Sequence, residues 1–211
     1  AASDVYKRQV QINLDIAGPG SRFADPNAPH PCLTMPGGAI ADFLTHIGYL
    51  IYIFSGPHKA VSTAWYNNPD TALPSDEFRA LVKGERVIGV AGFSALSQPD
   101  GFWVRVSGTK LQAETNLFEP PRLSFQRLRD GYRPLMTLID GISEAVEVGR
   151  GSIGGLVLKL GGGPLTYDGL YELVARMYRA LEGGGPPPVP IEQVDDVARL
   201  VADFTREEVA L

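Results

Sequence analysis

The chain of 211 residues contains a single cysteine, Cys32. One cysteine cannot form an internal disulfide, and no pair of cysteines has the spacing of a structural zinc site. The cysteine content therefore indicates a reducing compartment. We expect the protein to be cytoplasmic and to hold no metal.

An excess of positive charge is also missing. Lys and Arg number 19 against 24 Asp and Glu, which gives a net charge of −5, and no basic stripe is visible. A nucleic-acid partner is therefore not expected, because binding to phosphates needs such a stripe. The most apolar stretch, residues 39–54, is too short to span a bilayer comfortably and contains Asp42 and His46, so no membrane segment is expected.

The remaining composition is that of an ordinary globular domain, with 44% hydrophobic and 20% charged residues. The first nine residues show no apolar run and no amphipathic period that joins them to the next segment of the chain. We expect residues 1–9 to be a non-native or disordered leader and residues 10–211 to form one domain.

Alternating apolar and polar residues predict a strand over 10–16, followed by a long loop rich in proline and glycine. An apolar helix is predicted over 39–54, ending at Ser55-Gly56-Pro57. A strand over 59–66 and a short helix over 75–82, with Ser75 as its N-cap, come next.

The middle of the chain then has four strands at the short spacing of an antiparallel meander, and the rest has helical periodicity. The predicted strands are 86–94, 101–106, 110–117 and 122–128, and the predicted helices are 134–148, 167–181 and 191–205. This order predicts an α+β fold in which an open, mostly antiparallel β-sheet has helices packed on one face.

The helix over 39–54 carries the most informative pattern. Five polar or aromatic side chains share one face of a helix that is otherwise apolar: Asp42, Thr45, His46, Tyr49 and Tyr52. Asp42 and His46 stand four residues apart, so the carboxylate can lie beside the imidazole and orient it. The pair is either an acid/base unit, since imidazole titrates near neutrality, or an ordinary pair on a half-exposed helix.

The run from Gly37-Gly38 through Asp42 and His46 to the helix end at Ser55-Gly56 resembles the substrate-domain signature of the glucose-fructose oxidoreductase and inositol dehydrogenase family (Gfo/Idh/MocA). Later features agree in order, namely a Gly108-Thr109 turn, the segment 167–170 and a Pro190-Ile-Glu-Gln193 opening of the last helix. The similarity covers most of residues 10–211.

The resemblance implies the C-terminal domain of an NAD- or NADP-dependent oxidoreductase that acts on a sugar, polyol or related hydroxyl or keto compound. His46 would be the proton donor or acceptor, Asp42 would orient it, and Thr45 and Tyr49 would contact the substrate. The Rossmann domain that binds most of the cofactor would be absent, so the chain alone is expected to be inactive. The sheet face would pair subunits into a homo-oligomer.

Three features depart from the family pattern. The sequence lacks the Glu-Lys-Pro motif that the family has in its Rossmann half, Tyr49 stands where an Asp is common, and the segment 131–164 is longer than usual. A non-enzymatic α+β module for binding or dimerisation is the alternative.

Two other motifs are weaker. Gly149-Arg-Gly151-Ser-Ile-Gly154 matches G-x-G-x-x-G, but a predicted helix precedes it where the dinucleotide fingerprint requires a strand. His30 and Cys32, near Asp25, lack further ligands at metal spacing and indicate a proline-braced loop. We therefore expect the G-x-G-x-x-G match to be a connector between helices, and we expect the loop with His30 and Cys32 to bind no metal.

Overall fold

The computed structural model describes residues 7–16, 38–66, 77–118, 124–127 and 168–205, together with individual helical residues between 138 and 149. Three long helices have defined bounds: α1 (Gly38–Ser55), α2 (Asp168–Gly183) and α3 (Ile191–Phe204). Seven strands have defined bounds: β1 (Lys7–Asp15), β2 (His58–Tyr66), β3 (Glu77–Gly84), β4 (Ile88–Ser94), β5 (Gly101–Gly108), β6 (Leu111–Asn116) and β7 (Ser124–Arg127).

The strands form one sheet in the order β2-β3-β4-β1-β5-β6-β7. β1 pairs parallel with β4, and the other five pairs are antiparallel. The expected α+β class with an open, mostly antiparallel sheet is therefore confirmed. The expected meander is interrupted, because β1 lies between the consecutive strands β4 and β5.

Residues 75–82 were expected to form a short helix, and this prediction is wrong. Residues 77–84 form strand β3, in which Phe78, Ala80 and Val82 are buried and alternate with exposed residues. Glu, Arg, Ala and Leu favour helices, but pairing with both β2 and β4 overrides this weak local preference.

The alternation gives the sheet two different faces. On one face the apolar residues of β1, Val10, Ile12 and Leu14, are almost fully buried beneath α1. The opposite face, hereafter the open face, carries the other residues of each strand and is not covered by α1 or α3. The core therefore lies between the sheet and these two helices.

Helix α3 packs against α1 and β2 and contributes Leu200 and Phe204 to the core. Gly48 of α1 has no side chain and therefore lets α3 approach α1 closely, since a Cβ at this position would lie 3.1 Å from Val201 Cγ2. Helix α2 differs, because its apolar side chains are exposed, including Tyr171 and Tyr178. It makes no extensive contact with another element in the part of the chain that the structure describes.

Strand β1 begins at Lys7, so its first three residues fall within the segment expected to be a leader. Gln9 pairs with Ile88 on one side and Ser107 on the other. That residues 1–9 are a non-native or disordered leader stays a prediction. Within the described residues, none of the helices has the length and apolar character needed to cross a bilayer.

Candidate active site

Helix α1 is held to the sheet by residues spaced at three and four positions. Ile40, Leu44, Ile47 and Ile51 are buried and share the face toward β1, β3 and β4. Phe43 also stacks on Phe93 of β4, with ring centroids 5.7 Å apart. The orientation of the helix about its axis is therefore set by its apolar residues.

The C-terminal end of α1 is closed by a glycine and an arginine. Gly56 has a φ of +72°, and its N–H donates to the carbonyl of Tyr52 at 2.8 Å. Arg86 donates from Nη2 to the carbonyl of Ile53 at 3.0 Å. The predicted end at Ser55-Gly56 is correct, and the positive charge stands at the negative end of the helix dipole.

This orientation turns the polar stripe away from the sheet. Thr45, His46 and Tyr49 are exposed, and Asp42 is half-buried. Ile53, one turn after Tyr49, continues the row, and both are 39% exposed. We call the row formed by Asp42, Thr45, His46, Tyr49 and Ile53 the α1 stripe. The structure thus places on this row four of the five residues that the sequence singled out.

Tyr52, the fifth residue of the predicted face, turns toward α3. Partial burial raises the pKa of the Tyr52 phenol, and the Asp196 carboxylate, which accepts a hydrogen bond from it, raises the pKa further. Arg199 holds Asp196 at 2.6 Å and Asp195 at 3.0 Å. Tyr52 therefore belongs to the α1–α3 contact.

Thr45 has its donor engaged within the helix. Its hydroxyl donates to the backbone carbonyl of Asp42 at 2.6 Å. A hydroxyl has one proton and two lone pairs, so toward a ligand Thr45 offers an acceptor in this conformation. His46, the next residue along the helix, offers an imidazole that can both donate and accept.

Sequence reasoning missed a polar cluster on the open face, where β1 and β4 end and β3 begins. Asp15 is only 8% exposed, and its Oδ2 accepts a hydrogen bond from the Asn13 amide at 2.7 Å. Ser94 donates to the Glu77 carboxylate, and Glu77 pairs with Arg79. Asn13 and Asp15 are two residues apart on a strand, which was the available signal that they share a face.

Asp15 has an unusual environment within this cluster. Among the described residues its Oδ1 has no hydrogen-bond partner although it is buried. Burial raises the pKa of the Asp15 carboxyl, against the Asn13 hydrogen bond and the Arg79 charge that lower it. The Glu77 and Asp100 carboxylates add to the increase.

The G-x-G-x-x-G match of residues 149–154 lies mostly outside the described residues. The helical residues 145, 146 and 149 precede and enter the G-x-G-x-x-G match, where a strand is required, and residues 150–154 lie outside the described part. The sheet formed by the described strands contains a single parallel pair. His30, Cys32 and Asp25 also lie outside the described residues.

A seven-stranded sheet with α1 and α3 packed on one face and its other face not covered by them defines the class of the fold, an α+β domain. Solved structures share this fold. An NAD-binding oxidoreductase from Klebsiella pneumoniae superposes with a TM-score of 0.65 and 17% identity, covering 94% of this chain and 56% of that one. The chain therefore shares the fold of this NAD-binding oxidoreductase, which agrees with the expected resemblance.

Two further structures agree. The WlbA dehydrogenase from Bordetella pertussis, in complex with NADH and UDP-GlcNAcA, gives a TM-score of 0.59 and 14% identity over 94% of this chain and 51% of that one. UDP-N-acetylglucosamine 3-dehydrogenase GnnA from Acidithiobacillus ferrooxidans gives a TM-score of 0.59 and 10% identity, covering 96% of this chain and 54% of that one. The chain thus spans about half the length of these structures. Comparisons with protein-family models and with curated protein sequences give no match.

Proposed function

We propose that this chain is the substrate-binding half of an NAD(P)-dependent oxidoreductase that acts on a sugar, polyol or related hydroxyl or keto compound. The observation that carries the proposal is the α1 stripe. A helix fixed to the sheet by four isoleucine and leucine side chains presents Asp42, Thr45, His46 and Tyr49 along one outward row. Residues needed only for packing would not have to share that row.

The similar structures support the reaction class. WlbA was solved with NADH and UDP-GlcNAcA, and GnnA is a UDP-N-acetylglucosamine 3-dehydrogenase. Transfer of this chemistry to the present chain is part of our proposal, because the similarity is one of fold.

In the proposed reaction His46 moves the proton of the reacting hydroxyl. In the oxidative direction an imidazole nitrogen takes the proton as the C–O bond becomes C=O, and in the reductive direction it returns the proton. Asp42, one turn earlier on the same face, orients the ring. A nicotinamide cofactor, when bound, supplies hydride transfer.

Thr45 and Tyr49 are proposed as substrate contacts on either side of His46. Thr45 accepts a hydrogen bond from a substrate hydroxyl, and Tyr49 offers an exposed ring and a phenol. The cofactor would be held mainly by a Rossmann domain outside these residues. The chain alone is therefore expected to show no turnover.

The open face is the proposed surface for a homo-oligomer. Side chains lie flat on it, since a Cβ on Gly92 would stand 2.1 Å from Asn13 Oδ1 and a Cβ on Gly101 would stand 2.3 Å from Trp103 Nε1. A flat surface allows a second sheet to approach to the usual spacing of about 10 Å. The lone Cys32 supports the cytoplasm as the proposed location.

The test is made on the protein that includes the coding sequence upstream of Val10. We expect this longer protein to oxidise or reduce a sugar or polyol with NAD or NADP. His46→Ala should lower turnover by about 10²–10⁴-fold without changing stability. Lys59→Ala, at an exposed position of β2, is the control and should leave turnover unchanged.

Two results would contradict the proposal. Unchanged turnover in His46→Ala would remove His46 from the mechanism. Strong dinucleotide binding by the 211 residues alone would contradict the assignment of the chain to the substrate half. If the longer protein shows no turnover and only the sheet-mediated oligomer is found, the non-enzymatic module becomes the better explanation.

A further inference from the structure

The open face combines an exposed apolar area with a row of acidic groups. Leu81 of β3 and Ile88 of β4 are 52% and 48% exposed, and Val90 lies beside Leu81 in the strand register. Apolar side chains grouped in this way on a flat sheet favour covering by another protein surface. The face therefore suits a partner that is itself flat.

The charges on β3 indicate which partner fits. Glu77 begins the strand, and the exposed Lys83 lies near its end on the same face. A second copy laid on the open face with its strands reversed brings its own Lys83 over the Glu77 end of the first copy. The opposite contact then follows from two-fold symmetry. A second copy of this chain therefore matches the face in charge.

Asp15 lies in the same row as Glu77, since Ser94 pairs with both of these residues across the strands. Asp15 is only 8% exposed, and among the described residues its Oδ1 has no hydrogen-bond partner. On its other side Asp15 pairs with Gly101, over which the indole of Trp103 lies. A flat surface placed on this row would remove the remaining access of Asp15 to water.

A positive charge is not brought to the free oxygen of Asp15 by this arrangement. Arg79 faces Asp15 from β3, but its Nη1 donates to the carbonyls of Phe78 at 2.7 Å and Phe93 at 2.9 Å. Its Nη2 pairs with the Glu77 carboxylate at 3.3 Å. Lys83 of the second copy would also meet β3, which lies two strands away from β1. Pairing of the copies would therefore bury Asp15 without a cation beside it.

We infer that two copies of this chain pair across the open face with Asp15 protonated, so that association takes up a proton from solvent at this carboxyl in each copy. The inference rests on the homo-oligomer of the proposed function and adds the condition under which it forms. An unpaired carboxylate costs far more free energy to bury than a neutral carboxyl, because the charge loses its hydration. The paired state therefore favours the neutral form of Asp15.

The direction of the pH dependence follows from the groups around Asp15. Burial raises the pKa of Asp15 in the single chain, and Glu77 and Asp100 add to the increase, against the Asn13 hydrogen bond and the Arg79 charge. Covering the face increases the burial, so the pKa is higher in the pair than in the single chain. Association is then tightest below the single-chain pKa. It weakens as the pH rises from that pKa to the pKa of the pair.

Sedimentation equilibrium of the 211-residue chain measures the dissociation constant of the pair, at constant ionic strength and from about pH 5 to about pH 8. A rise of one unit in the pKa of Asp15 on pairing is about tenfold in affinity for each copy, so we expect the dissociation constant to increase by about 10–100-fold over this range. The described histidines do not account for such a change. His46 lies on α1, and His58 bonds to Asp203 of α3, both away from the open face.

Three variants test the role of each charge. Asp15→Asn, which is neutral at every pH, should pair as tightly at the upper end of the range as at the lower end. Glu114→Gln is the matched control, because Glu114 is a carboxylate of the same face that already has a cation, Arg105, and it should keep the pH dependence. Lys83→Glu should weaken the pair at every pH, since it sets like charges against each other.

A dissociation constant that does not change with pH, or a pH dependence that survives in Asp15→Asn, would overturn the inference and leave the homo-oligomer in place. Unchanged pairing of Lys83→Glu would overturn the reversed arrangement on which the inference depends. A chain that stays monomeric at every pH would overturn the inference and the homo-oligomer together. Turnover by the longer protein is measured independently of pairing, so a failure of the proposed enzymatic function is recognised separately.

Discussion

Trp65 donates its indole N–H to the backbone carbonyl of Phe204 at 3.0 Å. At the other end of β2, His58 Nε2 lies 2.8 Å from Asp203 Oδ2. These two contacts tie strand β2, at the edge of the sheet, to the last turn of α3. Because α3 packs in turn on Gly48 of α1, the contacts help to hold the helix that carries the candidate site.

Trp65→Phe is expected to lower the free energy of unfolding by about 1 kcal/mol. The phenyl ring can keep part of the contact with Phe78, whose ring centroid lies 4.6 Å from that of Trp65, but the hydrogen bond to Phe204 is lost. Urea unfolding followed by circular dichroism measures the change. Tyr66→Phe, at the next and exposed position of β2, is the control, and an equal loss in both variants would argue against the hydrogen bond.

Gly48→Leu is expected to separate α1 from α3 and to cost about 1–3 kcal/mol of stability. A Cβ at this position would already be 3.1 Å from Val201 Cγ2 and 3.8 Å from Phe204 Cε2, so a larger side chain has no room. Thermal and urea unfolding test this. Gly169→Leu on α2, where nothing lies within 4 Å of the added Cβ, should be neutral or stabilising. The same loss at both sites would show that crowding is not the cause.

Arg86→Met is expected to loosen the last turn of α1. It removes the hydrogen bond to the carbonyl of Ile53 and a positive charge from the C-terminal end of the helix, at a cost of about 0.5–1 kcal/mol. Hydrogen exchange of the amides in the last turn should become faster. Lys83→Met removes a neighbouring exposed charge without this bond, and it should leave those exchange rates as they are.

Asp15→Asn is expected to stabilise the protein at neutral pH. Burial raises the pKa of Asp15, so its contribution to stability is fully present below the unfolded pKa and is lost as the pH rises through the higher folded pKa. At neutral pH the ionised, buried carboxylate therefore costs stability, by about 1–3 kcal/mol for an unsatisfied group.

Asparagine removes that charge, so the difference between variant and parent should be largest at neutral pH and shrink as the pH falls toward about 4. Urea unfolding at several pH values measures it. If the difference in the free energy of unfolding did not depend on pH, the ionised Asp15 carboxylate would not be what destabilises the protein. The charges that act on Asp15 from the neighbouring strands and loop are those of Glu77, Arg79 and Asp100.

The candidate site was predictable because it depends on one helix. The prediction of 39–54 differs from α1 by one residue at each end, and the three-to-four spacing of Ile40, Leu44, Ile47 and Ile51 settles which face is outward. The exposure of Thr45, His46 and Tyr49 follows from that spacing alone. Their catalytic roles stay predictions.

The sheet was harder to predict because its pairing is not local. The spacing of strands along the chain cannot show that β1 separates β4 from β5. In β3 the alternation of buried and exposed residues was hard to recognise in the sequence, because Ala80 and Leu81 suit a helix equally well. Asp15 escaped notice for the same reason. Its burial and its raised pKa depend on residues of β3 and β5 that are more than sixty positions away.

The central place of β1 has a consequence for the order of folding. Ile12 pairs with Ala91 on one side and with Val104 on the other, so β1 can pair only after partners much later in the chain have been synthesised. Until then β2, β3 and β4 can form one sheet and β5, β6 and β7 another by local hairpin pairing. Joining them is a late event that depends on β1, and a chain cut after Asp15 would be left with two half-sheets and two unpaired inner edges.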